Sequence, residues 1–531
     1  MPRITRACDA CRTRKVRCDG RTPCAQCSHF DVQCIFSPPE KRKNPVRGRL
    51  VAKVRGEATE FTKWAESNAS KGGGATATVA AAAAAAAADS SPSPYQAGDS
   101  PSSSTTTSYT PEFFTRLLPG FEATVFPVNP IITADELRAA VQGMHDSSED
   151  AALVWSFASV TIFLTRASET MRDSDATRID DLLQRGLESH RQADLDVTTA
   201  EEHPTTIKRV VTCLFLEVAM MAFRRFERSF AILREAVGML QILKVRGWQA
   251  RDATEAARLQ RIYWEAFIHE RFLTIACGYP SVLEPLETGL PVPDPTLPPH
   301  VELGFNRLIC LFQVLDWPFL TYWHEQLCDR RSADITAQWI EAKQAQLDGD
   351  EAGAADAERQ LIAEGKGALS EFQHADLFVT RLWLRTVLWQ LALSNGLLCS
   401  DPSTTSHEGL SLGFPAQRLA AQLQSLKSQL SNVASISTQG SGIVQKLFEI
   451  TSTVADVLAA LAVADESDDN DDDDNNNGAV PTHGEMEERV ADFVVLVGWL
   501  TQFERVREEQ REYLNDKLRA LRERYPGVTV T

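Results

Sequence analysis

Residues 8–34 read CDACRTRKVRCDGRTPCAQCSHFDVQC. This stretch holds six of the chain's eleven cysteines, at the spacing C-x2-C-x6-C-x5-C-x2-C-x6-C, so that the unit C-x2-C-x6-C occurs twice. The six positions are Cys8, Cys11, Cys18, Cys24, Cys27 and Cys34. Clustered thiols in a reducing compartment are typical of metal ligands rather than of disulfides. The stretch therefore predicts a metal site in the N-terminal part of the chain.

The compartment follows from two features of the sequence. The first residues, MPRITRACDACR, lack the apolar segment of a secretory signal. No apolar run reaches the roughly 20 residues needed to span a bilayer. We therefore expect an intracellular protein with no membrane partner. With 531 residues, 43% of them hydrophobic, the chain is long enough for several domains and a sizeable core.

The metal and its stoichiometry follow from the ligand type. Thiolates favour tetrahedral zinc, and one zinc ion would take four of the six. Two zinc ions need eight bonds, which six thiolates supply only if two of them bridge both ions. The doubled unit favours this binuclear arrangement. A mononuclear site and a disulfide knot are the alternatives, and both the spacing and the compartment argue against them.

The charge of the chain is divided unevenly. Residues 1–56 hold 14 Lys and Arg against 4 Asp and Glu, a net charge of +10. The whole chain carries −18, so the remaining residues carry −28. A basic head on an acidic body indicates that the head binds a polyanion.

Four cations lie between the second and third cysteines: Arg12, Arg14, Lys15 and Arg17. A short helix that begins near Cys11 would direct them away from the metal site. Arg and Lys at a helix end can donate hydrogen bonds to guanine in the major groove. We interpret Arg12 and Arg17 as phosphate contacts, which add affinity without sequence information. A solvated charged helix is the alternative.

This arrangement resembles the fungal binuclear zinc cluster (Zn2Cys6) family of transcription factors, over about residues 3–56. The resemblance implies two zinc ions per chain, with Cys8 and Cys24 bridging them. One ion would be held by Cys8, Cys11, Cys18 and Cys24, the other by Cys24, Cys27, Cys34 and Cys8. The resemblance also implies that Arg14 and Lys15 contact the bases of a CGG-type triplet. Many family members carry Lys where this chain has Arg14.

Residues 37–56, SPPEKRKNPVRGRLVAKVRG, continue the basic head. Lys41, Arg42 and Lys43 could follow the DNA backbone and also serve in nuclear import, the alternative being a generic basic linker. An apolar repeat after this segment is too short to predict a coiled coil, so a homodimer stays open. Residues 57–111 are rich in Ala, Ser, Thr and Gly and predict a disordered linker between the two domains.

Residues 112–464 are predicted to form a large all-α regulatory domain. Apolar residues recur at the helical period over 207–218, 230–240 and 259–267, and again over 490–500. The acidic run at 465–484 is interpreted as a disordered loop. Residues 485–531 then return to the helices of the same domain. The predicted fold is thus a small Zn2Cys6 domain plus a large all-α domain.

One stretch of the helical body also resembles the regulatory middle homology region of the same fungal family. The matching residues are Ala236, Met239, Leu243, Arg261, Trp264, Phe267, Glu270, Arg271, Gly278 and Pro280. The resemblance implies a helical region that regulates the DNA-binding head, in some members by sensing a small molecule. We interpret Trp264, Phe267 and the pair Glu270 and Arg271 as helix packing with a local ion pair rather than as ligand contacts.

The sequence lacks a phosphate-binding loop, a dinucleotide fingerprint and a nucleophile elbow. We expect a nuclear, zinc-dependent, sequence-specific DNA-binding transcription factor that acts on RNA polymerase II genes and is not an enzyme. Its expected partners are double-stranded DNA and the transcription machinery or co-regulators, with a small-molecule effector left open. The alternatives are a small-molecule-binding or enzymatic helical protein with an accessory zinc head, and a nuclear adaptor that does not recognise DNA sequence.

Overall fold

The computed structural model describes residues 109–165, 173–196, 205–248, 252–328, 334–399, 407–429, 440–468, 482–503 and 506–528. It also describes a few isolated residues, among them Cys18, Cys24, Cys27 and Ser28. The chain divides into two compact units, Met1–Ala58 and Thr59–Thr531. The linker predicted at 57–111 lies outside the described residues except for its last three.

From Pro111 onward the described chain is mostly helical. Its first half contains α1 (Pro111–Thr115), α2 (Leu118–Gly120), α3 (Ala134–Gly143), α4 (Ser148–Thr165), α5 (Asp173–Leu195), α6 (Ile207–Ala222), α7 (Phe226–Val245) and α8 (Ala253–Cys277). Its second half contains α9 (Pro299–Gln313), α10 (Trp317–Leu327), α11 (Ala337–Ala363), α12 (Glu371–Ser394), α13 (Ala420–Gln429), α14 (Gly440–Asp468), α15 (His483–Leu500) and α16 (Glu508–Arg524). Short π-helical turns at Phe121–Val125 and Pro415–Leu419 continue α2 and precede α13. The all-α prediction is confirmed for this part of the chain.

The four apolar stripes seen in the sequence lie on α6, α7, α8 and α15. Their central residues are buried, for example Leu214 on α6, Leu233 on α7 and Phe493 on α15. Each helix buries its stripe against its neighbours: α6 packs on α4 and α7, and α15 packs on α14. Burial of such stripes is the main source of stability for helices of this length.

Three helices lie at the centre of the body and are buried on nearly every side. Residues 151–154 and 156–164 of α4 are all buried, as are residues 379–392 of α12 and most of α14 up to Leu458. α12 and α14 pack against each other, and α15 and α16 pack on α14. A helix that is buried all round serves as the centre around which amphipathic helices arrange their apolar faces.

Helix starts are fixed by side chains that accept the first unpaired amide groups. Thr133, Ser370 and Thr482 form capping boxes at the starts of α3, α12 and α15. Asp252 and Asp316 cap α8 and α10 in the same way through their carboxylates. Such caps contribute about 1 kcal/mol each and define where each helix begins.

Some details differ from expectation. α14 runs to Asp468, through four residues expected at the start of the acidic loop, and residues 469–481 lie outside the described part of the chain. Of the five cysteines of the body, Cys213 is buried, Cys328 is exposed at the end of α10, and the other three are half-buried. The only pairing of extended backbone among the described residues is an isolated bridge between Cys399 and Ser411. No described helix is long and apolar enough to cross a bilayer.

Candidate metal centre and nucleic-acid interface

The structure describes three of the six predicted zinc ligands: Cys18, Cys24 and Cys27. All three are buried thiols, with 6%, 0% and 1% of their surface exposed. The other predicted site residues lie outside the described residues: Cys8, Cys11, Cys34, Arg12, Arg14, Lys15, Arg17, Lys41, Arg42 and Lys43. Their roles stay predictions.

The second C-x2-C pair has a specific geometry. Cys27 and Ser28 are helical, and the amide of Ser28 donates to the carbonyl oxygen of Cys24 at 2.9 Å. The amide of Cys27 donates to Sγ of Cys24 at 3.3 Å. Cys24 therefore sits where an N-cap residue sits, with its sulfur in place of the usual side-chain oxygen. The two-residue spacing is what brings the second thiol into this turn.

These residues fit a zinc site. An amide that donates to sulfur stabilises the ionised thiol, which is the form that binds metal. A buried thiolate needs a compensating positive charge, because burying an isolated charge is very costly. Cys24 and Cys27 are both buried in one turn, so a bound cation is the simplest way to balance them. Zinc bound there would supply cross-links that fold a segment too small to bury a core of its own.

In the body, the residues from Arg261 to Arg271 that resemble the regulatory region lie on α8, and four of them hold the non-helical segment 278–298, whereas Ala236, Met239 and Leu243 lie on α7. The guanidinium of Arg261 donates to the carbonyl oxygen of Pro130 at 2.8 Å and pairs with Asp294 at 2.9 Å. Nε1 of Trp264 donates to the carbonyl oxygen of Gly289 at 3.1 Å. Both side chains are buried, so these bonds satisfy polar groups that water does not reach.

Glu270 and Arg271 extend this pattern toward the end of α8. Glu270 accepts from Arg234 at 2.6 Å and from the amide of Leu283 at 2.8 Å. Arg271, which has no exposed surface, donates to the carbonyl oxygens of Leu283 at 2.8 Å and Leu315 at 3.0 Å. Burial lowers the pKa of Arg271, and Glu270 opposes this, to give a pKa of about 10. Arg271 is therefore charged at neutral pH.

The end of α8 explains two further matching positions. Gly278 caps the helix with φ +73°, a left-handed conformation that favours glycine, and Pro280 follows. The carbonyl oxygen of Pro280 accepts a hydrogen bond from Arg234. These contacts, together with the packing of Trp264 on Phe267 and a distance of 3.6 Å between Arg271 and Glu270, are those expected of helix packing with a local ion pair.

Sequence reasoning missed a group of charged residues inside the body. His269 of α8 lies between Glu217 of α6 and Glu265, and Lys446 of α14 lies near Asp376 of α12. The one available signal was the spacing of Glu265 and His269 by four residues, which places them on the same helix face. The partners from other helices are adjacent only in the folded chain.

Comparison with known proteins identifies the head. A family model described as the fungal Zn(2)-Cys(6) binuclear cluster domain matches residues 6–43, which include all six cysteines. An ABC-transporter-regulating transcription factor of Aspergillus fumigatus is 47% identical over 47 residues, 9% of this chain and 5% of that protein. Activator of stress genes 1 of Saccharomyces cerevisiae is 50% identical over 40 residues, 8% of this chain and 4% of its own length. The N-terminal head is thus a zinc cluster domain of this fungal type, as the cysteine spacing predicted.

One relative aligns along most of the chain. The probable sucrose utilization protein SUC1 of Candida albicans is 22% identical over 461 residues, 85% of this chain and 79% of that protein. The matches to the other two relatives cover only about a twentieth of their length. The relatives of the head are transcription factors, a class of proteins that are not enzymes, in agreement with the prediction for this chain.

Proposed function

We propose that this chain is a zinc-dependent, sequence-specific DNA-binding regulator of RNA polymerase II transcription that acts in the nucleus. The observation that carries the proposal is the zinc cluster match over residues 6–43. That segment contains the six cysteines and the four cations between Cys11 and Cys18. The buried turn of Cys24 and Cys27 supports the metal-binding half of the proposal.

In this proposal the six thiolates hold two zinc ions per chain, with Cys8 and Cys24 bridging. The bridging arrangement gives each ion four ligands from only six side chains. The cluster acts as the core of the head, because folding of such a small unit depends on the metal. It also fixes the helix that begins near Cys11 and so directs the basic side chains outward.

DNA recognition is assigned to the cations of this helix. Arg14 and Lys15 donate to guanine O6 and N7 of a CGG-type triplet in the major groove, where Arg and Lys make the commonest specific contacts. Arg12 and Arg17 bind phosphates and set the register of the head on the duplex. Lys41, Arg42 and Lys43 add further phosphate contacts and support nuclear import. Their contribution to affinity is electrostatic and decreases with salt.

The helical body is proposed to regulate the head. It has a large buried core of its own, and its acidic charge makes it unsuited to DNA. We assign to it contacts with co-regulators or the transcription machinery and a site for a small-molecule effector. The alignment with SUC1 along 85% of the chain supports a shared arrangement of head and body.

The test is selection of random DNA duplexes by the purified full chain, with zinc and after chelation. A CGG-like site should be enriched with zinc and lost on chelation. One half-site or two at fixed spacing would then distinguish a monomer from a dimer.

Two variants make this test specific. Replacing Arg14 and Lys15 with Ala should cost about 1–3 kcal/mol per lost base contact and relax the selected sequence. Arg17→Ala is the matched control, which should weaken binding to all sequences alike. Unchanged sequence preference in the double variant would remove these two residues from the assignment. Binding that depends on salt alone, with no enriched sequence, would instead support the adaptor alternative.

A further inference from the structure

The body contains a cavity of about 150 Å³ where α4, α6, α8, α9, α12 and α14 meet. Aromatic side chains form much of its wall, among them Phe163, Phe272 and Phe312. Five ionisable side chains line it as well: Glu217, Glu265, His269, Asp376 and Lys446. A cavity of about this volume in an engineered protein holds one benzene ring. A purely structural void would be apolar, so this concentration of charge indicates a polar occupant.

The charges in the cavity wall are not balanced. Three carboxylates, of Glu217, Glu265 and Asp376, stand against two cations, of His269 and Lys446. His269 lies 2.7 Å from Glu217 and 3.0 Å from Glu265, so a single imidazolium is the nearest cation to two carboxylates. Lys446 donates to Thr380 at 2.7 Å and lies 3.6 Å from Asp376. One negative charge is therefore left over when all five groups are ionised.

The uncompensated negative charge can be assigned to Glu265. One of its carboxylate oxygens faces His269, while Oε2 is buried and has no hydrogen-bond partner among the described residues. Its side chain is only 3% exposed. The pKa of Glu265 is raised, because burial outweighs the opposing charge of His269, so a cation beside it would stabilise the ionised form. A buried carboxylate oxygen without a donor is costly, and a ligand that supplies a donor would remove this cost.

The cavity is also accessible from one side. His269 and Asp376 keep 17% and 19% of their side chains exposed, whereas Glu217 keeps 2%. The polar group of a ligand in the cavity would meet the carboxylates while its apolar part contacts the aromatic wall.

We propose that this cavity binds a small apolar primary amine, with its ammonium group donating to Oε2 of Glu265. An ammonium group supplies both the missing donor and the missing positive charge. A hydroxyl group would supply the donor alone, and hydrogen bonds between charged partners are about twice as strong as neutral ones. A carboxylate ligand would add to the charge excess. The inference rests on the proposed regulatory role of the body, because it names the chemical class of the effector.

Benzylamine, benzyl alcohol and benzoate are the probes, titrated against the full chain at pH 7.5 by ligand-observed NMR. They share one aromatic ring and differ in charge. We expect benzylamine to bind with a dissociation constant of about 1 mM or below, a normal strength for so small a molecule. Benzyl alcohol should bind at least tenfold more weakly, and benzoate should not bind detectably. Absence of benzylamine binding, or equal binding of the amine and the alcohol, would overturn the proposal.

One variant and its matched control test the assigned residue. Glu265→Gln keeps an acceptor for His269 and should weaken benzylamine binding at least tenfold while leaving benzyl alcohol unaffected. Glu358→Gln is the matched control, because Glu358 also bonds a histidine, His374, at 2.8 Å but does not line the cavity. It should leave benzylamine binding unchanged. Undiminished amine binding by folded Glu265→Gln would overturn the assignment.

Gly442→Leu keeps the proposal testable if Glu265→Gln does not fold. Gly442 lines the cavity on α14, and a Cβ built there meets only Phe272, at 3.9 Å. Leucine also favours the helix more than glycine does. This variant should fold and lose binding of both benzylamine and benzyl alcohol, and retained binding would place the ligand elsewhere. No DNA is present in these titrations. They therefore test ligand binding by the body independently of DNA recognition by the head.

Discussion

Nδ1 of His269 lies 2.7 Å from Oε2 of Glu217, and this contact joins α8 to α6 inside the body. Nε2 of the same ring lies 3.0 Å from Glu265. Both ring nitrogens thus face carboxylates, an arrangement that favours the imidazolium form of the ring. Burial alone would lower the pKa of His269. The charges of Glu217 and Glu265 outweigh burial and raise the pKa to about 10 from the usual 6.5.

This raised pKa predicts a pH-dependent stability. The folded pKa lies above the unfolded one, so the contribution of His269 is complete below pH 6.5 and is lost as the pH rises through 10. His269→Gln should lower the free energy of unfolding by about 3 kcal/mol at pH 7. The difference from the parent chain should shrink by up to about 1.4 kcal/mol per pH unit between pH 7 and 9. Urea denaturation at three pH values measures it.

His374→Gln is the control for this prediction. Nε2 of His374 lies 2.8 Å from Glu358, but the ring is 49% exposed, so its loss should cost less than about 1 kcal/mol. A difference between His269→Gln and the parent that is equal at pH 7 and pH 9 would contradict the assigned imidazolium.

Arg271→Lys should destabilise the body although it keeps the charge. The planar guanidinium donates to two carbonyl oxygens and lies 4.3 Å from the ring centre of Phe267, a geometry that an ammonium group cannot reproduce. We expect a loss of about 2–3 kcal/mol in the free energy of unfolding. Arg519→Lys, at an exposed pair with Asp516, should change it by less than about 0.5 kcal/mol. Similar losses of unfolding free energy in the two variants would disprove a specific role for the planar guanidinium of Arg271.

The thiols of the body should differ in reactivity. Cys213 is fully buried, and burial, helped by Glu235, raises its pKa well above that of an ordinary thiol. Cys328 is exposed. Brief treatment of the native chain with a thiol reagent, followed by peptide mass mapping, should label Cys328 at once and Cys213 only after unfolding. In Cys328→Ser the rapid label on this peptide should disappear, and rapid labelling of Cys213 would contradict its placement in the core.

Zinc content distinguishes the proposed cluster from its alternatives. Two zinc ions per chain are expected from metal analysis of the purified protein, and a value of one would support the mononuclear site. Removal of zinc by a chelator should abolish DNA binding and leave the helical circular dichroism signal nearly unchanged, because the helices of the body have their own core. A large loss of helical signal on chelation would show that the body also depends on the metal.

The sequence was most informative where a helix has one polar face. The stripes on α6 and α15 could be recognised because exposed residues alternate with buried ones at the helical period. α4 and α12 gave no such signal, since residues such as Phe157 and Leu388 are buried on sides that have no polar counterpart. Periodicity is lost when a helix is surrounded, and only tertiary packing then shows where it lies.

The zinc head and the cavity also differ in how far they could be predicted from the sequence. The zinc head could be predicted because its ligands are close in sequence and thiols at this spacing have few other uses. The cavity is lined by six helices, and two of its charged residues, Glu217 and Lys446, are separated by more than 200 residues. The sequence alone does not distinguish Lys446, which is buried, from a lysine on the surface. Lys446 lies between acidic side chains and aromatic rings because of contacts with residues that are distant in the sequence.

The bonds from α8 to the segment 278–298 have a consequence for how this chain can vary in length. Arg271 holds Leu283, Trp264 holds Gly289, and Gln260 holds the amide of Val292, so the segment runs back along the helix in step with it. Loops usually tolerate insertions and deletions. Here the insertion of one residue would move every later donor or acceptor of the segment away from its partner on α8. Residues 283–292 therefore act as a spacer of fixed length, at which distant relatives should align without gaps.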